Sequence, residues 1–272
     1  MPSFTDQTGY IVEVKKLPER IVSLVPSQTE LLYDLGMGEK VKGITKFCVH
    51  PEAWFKNKKR IGGTKTIKID LVDKIRPDLI IANKEENIQE QAELLRKKYP
   101  VWTSDISTLQ DALTMISAIG IITNTAAAAD RLIKKINYNF SRFYQNEGFQ
   151  SVLDKKLRTA YLIWKDPYMA AGKNTFIDAM MQQCGLLNIY ADTLRYPVID
   201  IEQLKSCGCD LLLLSSEPYP FSQKHILEFK QMLPDIKILL VDGEMFSWYG
   251  SRLLLVSAYF TSLLLQIDTI YR

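Results

Sequence analysis

The chain has 272 residues, and 34 Lys and Arg against 31 Asp and Glu leave a formal charge of +3. Its 47% hydrophobic and 24% charged residues exclude disordered, collagenous and low-complexity readings, and the even charge balance excludes a typical nucleic-acid binder. At this length a single core stops growing, so two domains of roughly 100–130 residues are expected.

Ile21 to Val25 is a short apolar run that reads as a buried strand. Ser27 follows with Glu30 three residues on, a capping-box pattern, and Leu31, Leu32 and Leu35 then recur at helical spacing until Gly36. Val41 to Ile44 reads as a second strand, and Lys56 to Arg60 as a solvated basic surface. Next come a helix at Ile69 to Ile75, a strand at Asp78 to Ala82, a helix at Ile88 to Lys98 and a strand at Val101 to Thr103. From Leu109 the pattern turns helical, with a short helix and then a long one over about Thr125 to Gln145. The β/α alternation resumes with strands at Leu157 to Trp164, Leu211 to Leu214 and Ile236 to Val241, and helices at Thr175 to Gln183 and Ser251 to Ile267. Strands alternating with helices imply parallel sheets and an α/β class. The organisation is an N-terminal α/β lobe over 1–106, a linking region with a long helix over 107–150, and a C-terminal α/β lobe over 151–272.

The two lobes echo each other. Asp70 is followed by Asp78, Leu79-Ile80-Ile81 and Glu85; Glu202 is followed at the same offsets by Asp210, Leu211-Leu212-Leu213 and Glu217. A repeated supersecondary unit is the economical reading. Ligands of open parallel sheets bind beyond the carboxyl ends of the strands, so two such lobes would present their strand-end loops to a cleft.

The first ten residues carry no basic segment followed by an apolar one, so they do not read as a secretory signal. Leu253 to Ile267 is too short and too often interrupted by hydroxyls for a spanning helix, and no transmembrane segment is expected. Cys48, Cys184, Cys207 and Cys209 are spaced as reduced thiols rather than as a disulfide framework.

The stretch Arg20 to Leu31 resembles the opening of the cobalamin- and iron-siderophore-binding proteins of ABC importers, the class III periplasmic binding proteins with a helical backbone. Pro77-Asp78-Leu79-Ile80, Ala171-Gly172-Lys173-Asn174-Thr175-Phe176-Ile177, Cys184-Gly185-Leu186-Leu187-Asn188-Ile189 and Gly250-Ser251-Arg252 extend the likeness to nearly the whole chain, nearest to the cobalamin-binding branch. The resemblance implies two Rossmann-like lobes joined by one long backbone helix, with the ligand in a cleft between them. It implies a monomer that captures a corrinoid, siderophore or heme and passes it to an ABC importer permease, with Asp70 and Glu202 as docking acids. It also implies no catalytic cofactor: cobalamin, heme or a ferric siderophore would be cargo.

Candidate ligand contacts on the expected strand-end loops are Phe47, His50, Thr64, Glu85, Glu86, Tyr168, Met169, Tyr196, Tyr219, Phe246, Trp248 and Tyr249. Aromatic walls suit a large planar ring, each burying roughly 150–250 Å². The sequence departs from the cobalamin branch where Thr64, Asn83 and Met245 align with wall tryptophans and His50 with a tyrosine, which gives weight to a polar or metal-bearing ligand. Cys48, His50 and Glu85 are candidate metal ligands by type, although Cys48-Val49-His50 lacks the spacing of a structural zinc site. His225 is expected at the start of a surface helix, with no role. No phosphate-binding loop or nucleophile elbow occurs, so an enzyme is not expected. The residues leave two compartments open: the periplasm or cell envelope if a signal has been removed, or the cytoplasm, where a tetrapyrrole- or metal-handling protein without a permease would use the same scaffold.

Overall fold

A computed structural model describes residues 2–272. The chain divides into two compact units: the first gathers the chain up to Ile106, Gln110–Ile136 and Tyr249–Arg252, and the second Ser107–Leu109, Asn137–Trp248 and Leu253–Arg272.

The first unit opens with an antiparallel hairpin, β1 (Ser3–Thr5) and β2 (Ile11–Glu13), that the apolar pattern does not announce. Its turn is organised by Asp6, whose carboxylate accepts from the Thr8 and Tyr10 backbone N–H groups and, on its other oxygen, from Thr103 N at 3.2 Å and the Arg96 guanidinium at 3.3 Å. The unit then runs β3 (Ile21–Ser23), α1 (Pro26–Asp34), β4 (Val41–Ile44), α2 (Glu52–Asn57), β5 (Lys59–Arg60), α3 (Ile69–Ile75), β6 (Leu79–Asn83), α4 (Gln89–Arg96), β7 (Val101–Ser104) and α5 (Leu109–Ile122). Its sheet is parallel throughout, in the order β5-β4-β3-β6-β7. Every residue of β3, β6 and β7 is buried, as a parallel sheet covered on both faces requires.

The expected capping box does not form. α1 begins two residues earlier than that cap implies, at Pro26, whose fixed φ suits the first helical position, and Ser27 is buried inside the helix. Glu30 instead makes a bidentate ion pair with Arg252, with Nε and Nη2 at 3.0 and 2.8 Å from its oxygens. Burial raises the Glu30 pKa, and the Arg252 charge opposes that rise.

The chain passes from the first unit to the second within the 19-residue helix α6 (Ala126–Tyr144). A 3₁₀ turn at Glu147–Phe149 and α7 (Gln150–Leu153) follow. The second unit then runs β8 (Arg158–Trp164), β9 (Met169–Ala170), α8 (Phe176–Gln183), β10 (Leu187–Asn188), α9 (Ile201–Ser206), β11 (Leu211–Ser215), α10 (Gln223–Met232), β12 (Lys237–Val241), α11 (Glu244–Ser247) and α12 (Leu253–Tyr271). Its sheet has the order β10-β8-β11-β12, all parallel, with the short β9 antiparallel on β8. This matches β4-β3-β6-β7 of the first unit strand for strand.

The repeat seen in the sequence is a physical device. Asp78 accepts from Arg20 N at 2.7 Å, while the Arg20 side chain donates to the Arg76 carbonyl at the end of α3. Asp210 accepts from Arg158 N at 2.8 Å, while the Arg158 side chain donates to the Cys207 and Gly208 carbonyls at the end of α9. Each acid fixes the register of two neighbouring strands, and each arginine satisfies helix-terminal carbonyls that otherwise lack a donor.

α12 has 19 residues and is long and apolar enough to cross a membrane, longer than the sequence pattern indicated. Its Val256, Phe260, Leu264 and Ile267 are nevertheless fully buried, with Phe260 against Phe143 and Phe246, so that face belongs to the core of the second unit. All four cysteines are free, and only Cys207 is partly exposed.

Two variants test the Glu30–Arg252 pair. Arg252→Ala strands the Glu30 carboxylate and is expected to cost about 3 kcal/mol at neutral pH, read by thermal melting, whereas Glu30→Gln with Arg252→Met recovers most of the loss.

Candidate functional site

In the first unit the carboxyl ends of β4, β5 and β6 carry the loops of interest. Asn83, the last residue of β6, is 2% exposed. Its amide donates to the Ser104 carbonyl and hydroxyl at 3.2 and 3.0 Å, and its Oδ1 accepts from the Glu85 and Glu86 N–H groups at 2.9 Å. Asn87 closes the loop: its Oδ1 accepts from Asn83 N at 2.9 Å and its amide donates to the Thr64 carbonyl at 3.1 Å. Two asparagines thus join the loops after β5 and β6. Glu85 and Glu86 are held half-buried on the outside of that frame, while Asn83 and Thr64 lie within it and offer almost no surface.

Phe47 is 49% exposed, with the Lys46 ammonium 4.9 Å above its ring. His50 is half-buried on the same loop. Cys48 is fully buried, its sulfur 3.0 Å from Thr29 Oγ1 and 3.2 Å from Thr45 Oγ1, and burial pushes its pKa up. A buried thiol that keeps its proton is a poor metal ligand and a poor nucleophile. Among the described residues no three His, Cys, Asp or Glu side chains are grouped to hold a metal ion, so Cys48, His50 and Glu85 are not drawn into such a set.

In the second unit the aromatic residues gather at the ends of β8 and β11. Tyr219 is half-buried, with ring centroids 4.7 Å from Phe221 and 5.8 Å from Trp164, which it meets edge to face. Trp164, the last residue of β8, is 40% exposed and is absent from the sequence-derived candidates. The signal was available: a large aromatic at the carboxyl end of the unit's first strand, immediately before a loop. Tyr168 is half-buried against Phe229, and Met169 on β9 and Tyr196 beside Arg195 are also half-buried.

Phe246 is fully buried among Tyr161, Tyr259 and Phe260 and gives a ligand no surface. Trp248 and Tyr249 keep only 7% and 6% of theirs. Trp248 acts instead as an internal donor. Its Nε1 donates to Glu217 at 2.9 Å, and Ser247 Oγ donates to the same carboxylate oxygen at 2.6 Å. Burial raises the Glu217 pKa, the two donors pull against that rise, and Glu244 and Asp242 reinforce it.

His225 is not a surface residue. It is 3% exposed, its Nδ1 accepts from Ser222 N at 2.9 Å to cap α10, and its Nε2 lies 3.3 Å from Tyr219 Oη. Burial lowers its pKa, so it is a neutral capping residue beside the aromatic group.

Gly172, on the loop after β9, is held by contact rather than by φ. A Cβ there would stand 2.2 Å from the Thr193 carbonyl oxygen, because the Gly172 and Lys173 N–H groups pair at 2.7 Å with Arg195 and Thr193. That pairing sets the segment carrying Tyr196.

The family profile described as periplasmic binding protein matches residues 21–235. A vitamin B12-binding protein of Pectobacterium carotovorum is 25% identical over 256 residues, covering 93% of this chain and 90% of the relative. An ABC transporter substrate-binding lipoprotein of Bacillus subtilis is 26% identical over 194 residues, covering 69% of this chain and 60% of that protein. The crystal structure of a periplasmic vitamin B12-binding protein of Vibrio cholerae superposes with a TM-score of 0.75 at 20% identity, covering 93% of this chain and 98% of that one.

Because the Glu217 pKa is raised in the fold, its ionised form costs stability above that pKa, and the cost disappears as pH falls through the ordinary carboxylate range. Glu217→Gln, which keeps an acceptor for Ser247 and Trp248, is expected to melt above the parent at neutral pH. The two melting curves should converge near about pH 4.

Proposed function

The chain belongs to the periplasmic binding protein family, and from that premise we propose that it is the solute-binding component of an ABC importer, carrying a corrinoid or another metal chelate of cobalamin, siderophore or heme type. The observation that carries the cargo class is the match to a vitamin B12-binding protein along 93% of the chain. The chemistry of the strand-end loops agrees with it. Trp164, Tyr219 and Tyr168 in the second unit and Phe47 in the first keep aromatic surface at or just beyond strand ends, where a large ring gains contact area with little rotamer entropy to lose. The polar Glu85–Glu86 edge supports a cargo with hydrogen-bonding or charged substituents at its rim.

A substrate-binding lipoprotein of an ABC transporter and a periplasmic protein among the relatives and structural neighbours favour an envelope location and a permease partner over the cytosolic alternative. For docking we take Asp70 and Glu202. Both are exposed in the first turns of α3 and α9, the helices that precede Asp78 and Asp210 in the repeated device, so they occupy equivalent places in the two units. Glu202 meets Lys205 at 2.7 Å, an exposed pair that a permease arginine can displace at little cost.

Titration of the purified chain with cyanocobalamin, hemin and a ferric siderophore, each alone, is expected to give a visible-spectrum change with one of them. The same ligand should add about 2.7 kcal/mol of stability at one hundred times its Kd. Silence with all three rejects the cargo class. Asp70→Arg with Glu202→Arg should leave that binding intact and abolish chelate uptake by cells, each single change giving a partial loss; unimpaired uptake in the double variant removes the docking role.

A further inference from the structure

Beside Phe47, at the ends of β4 and β5, the first unit carries an open hollow of about 510 Å³ that the chelate reading does not use. Lys46, Arg60, Lys68 and Gln91 stand around a floor of Gly62 and Gly63, and no carboxylate lines it. Lys46, Arg60 and Lys68 have no acidic partner among the described residues; exposed lysines such as Lys59 and Lys74 lack one too, but these three cations share one concavity. Three like charges around one concavity raise its potential, and only an anion relieves their repulsion.

The hollow is built by the fold. Gly62 has φ 107°, and a Cβ on it would lie 2.3 Å from the Thr66 carbonyl oxygen. The turn beyond it closes by reciprocal bonds between Gly63 and Thr66 at 3.0 and 3.2 Å, so the floor is bare backbone. The cations are also placed in advance. Lys46 lies over the Phe47 ring, and the Arg60 guanidinium sits 4.4 Å from the Phe55 ring while one of its nitrogens donates to the Phe55 carbonyl. Gln91 spends its Oε1 on Ile67 N at 3.0 Å, which leaves its NH₂ group as a donor.

We propose that this hollow binds a multivalent oxyanion, a phosphate or a group of carboxylates, with Arg60 as the directional donor and Lys46 and Lys68 as point charges. The anion is either free or the charged arm of a chelate, and the site stands whether or not the cargo class above is right.

The test uses the full chain, with inorganic phosphate and succinate titrated calorimetrically at constant ionic strength set by chloride. Saturable binding at one site is expected for at least one of them, weakening as chloride is raised. Lys46→Gln with Lys68→Gln should weaken it at least about tenfold, a factor of ten being 1.4 kcal/mol. Lys56→Gln with Lys59→Gln, on the same basic surface outside the hollow, should leave it unchanged. Absence of saturable binding, or equal losses in the two double variants, overturns the proposal. Competition then identifies the source: hemin, with its two carboxylates, displaces the anion if the hollow serves a chelate's arm, and binds independently of it if the anion is free. Hemin or cyanocobalamin binding that persists while neither anion binds rejects the hollow and leaves the cargo reading standing.

Discussion

The register between the first strand of each sheet and the strand beside it is the constraint on which the rest depends. Parallel strands buried on both faces, such as β3 and β6, are near-uniform apolar runs and carry little information about alignment. Asp78 and Asp210 supply it. Each accepts the arginine's backbone N–H at the entry of the neighbouring strand, and that arginine's side chain reaches back to the end of the preceding helix. Strand, turn and helix end are fixed together at the amino edge, and this determines how far each strand projects at the carboxyl edge, where the loops begin.

Those loops are then held by side chains that a ligand never sees. Asn87 bonds the Asn83 N–H and the Thr64 carbonyl, and Asn83 accepts from the Glu85 and Glu86 N–H groups. In the second unit Glu217 gathers Ser247 and Trp248, and His225 ties Ser222 to Tyr219. Buried polar groups of this kind are costly unless every partner is in place, so they fix one loop conformation where apolar packing would tolerate several. The aromatic surface on Trp164 and Tyr219 depends on that polar scaffold.

The sequence made the two sheets legible because continuous apolar runs of four to seven residues flanked by helical periodicity have one economical interpretation. It also exposed the repeat, since Asp70, Asp78 and Glu85 recur as Glu202, Asp210 and Glu217. It did not expose the β1–β2 hairpin, whose strands are three residues long and mostly exposed, leaving no apolar pattern to detect. The capping box at Ser27 misled because Pro26 offers a competing start, and Glu30 has a stronger partner in Arg252, more than two hundred residues away. The site was half-legible for a similar reason. Residue type and loop position pointed to Tyr168 and Tyr219, but Phe246 and Trp248 follow a strand end just as they do, and tertiary packing alone turns them inward.

The aspartate–arginine clasp sits at the edge of each sheet opposite the loops. Alignment of the strands is therefore settled by groups remote from any cargo, and the rim is relieved of that duty. Its residues can be exchanged, lengthened or recharged while the frame beneath keeps its shape. A scaffold divided in this way lets selectivity drift from one ligand to another without renegotiating how the chain folds.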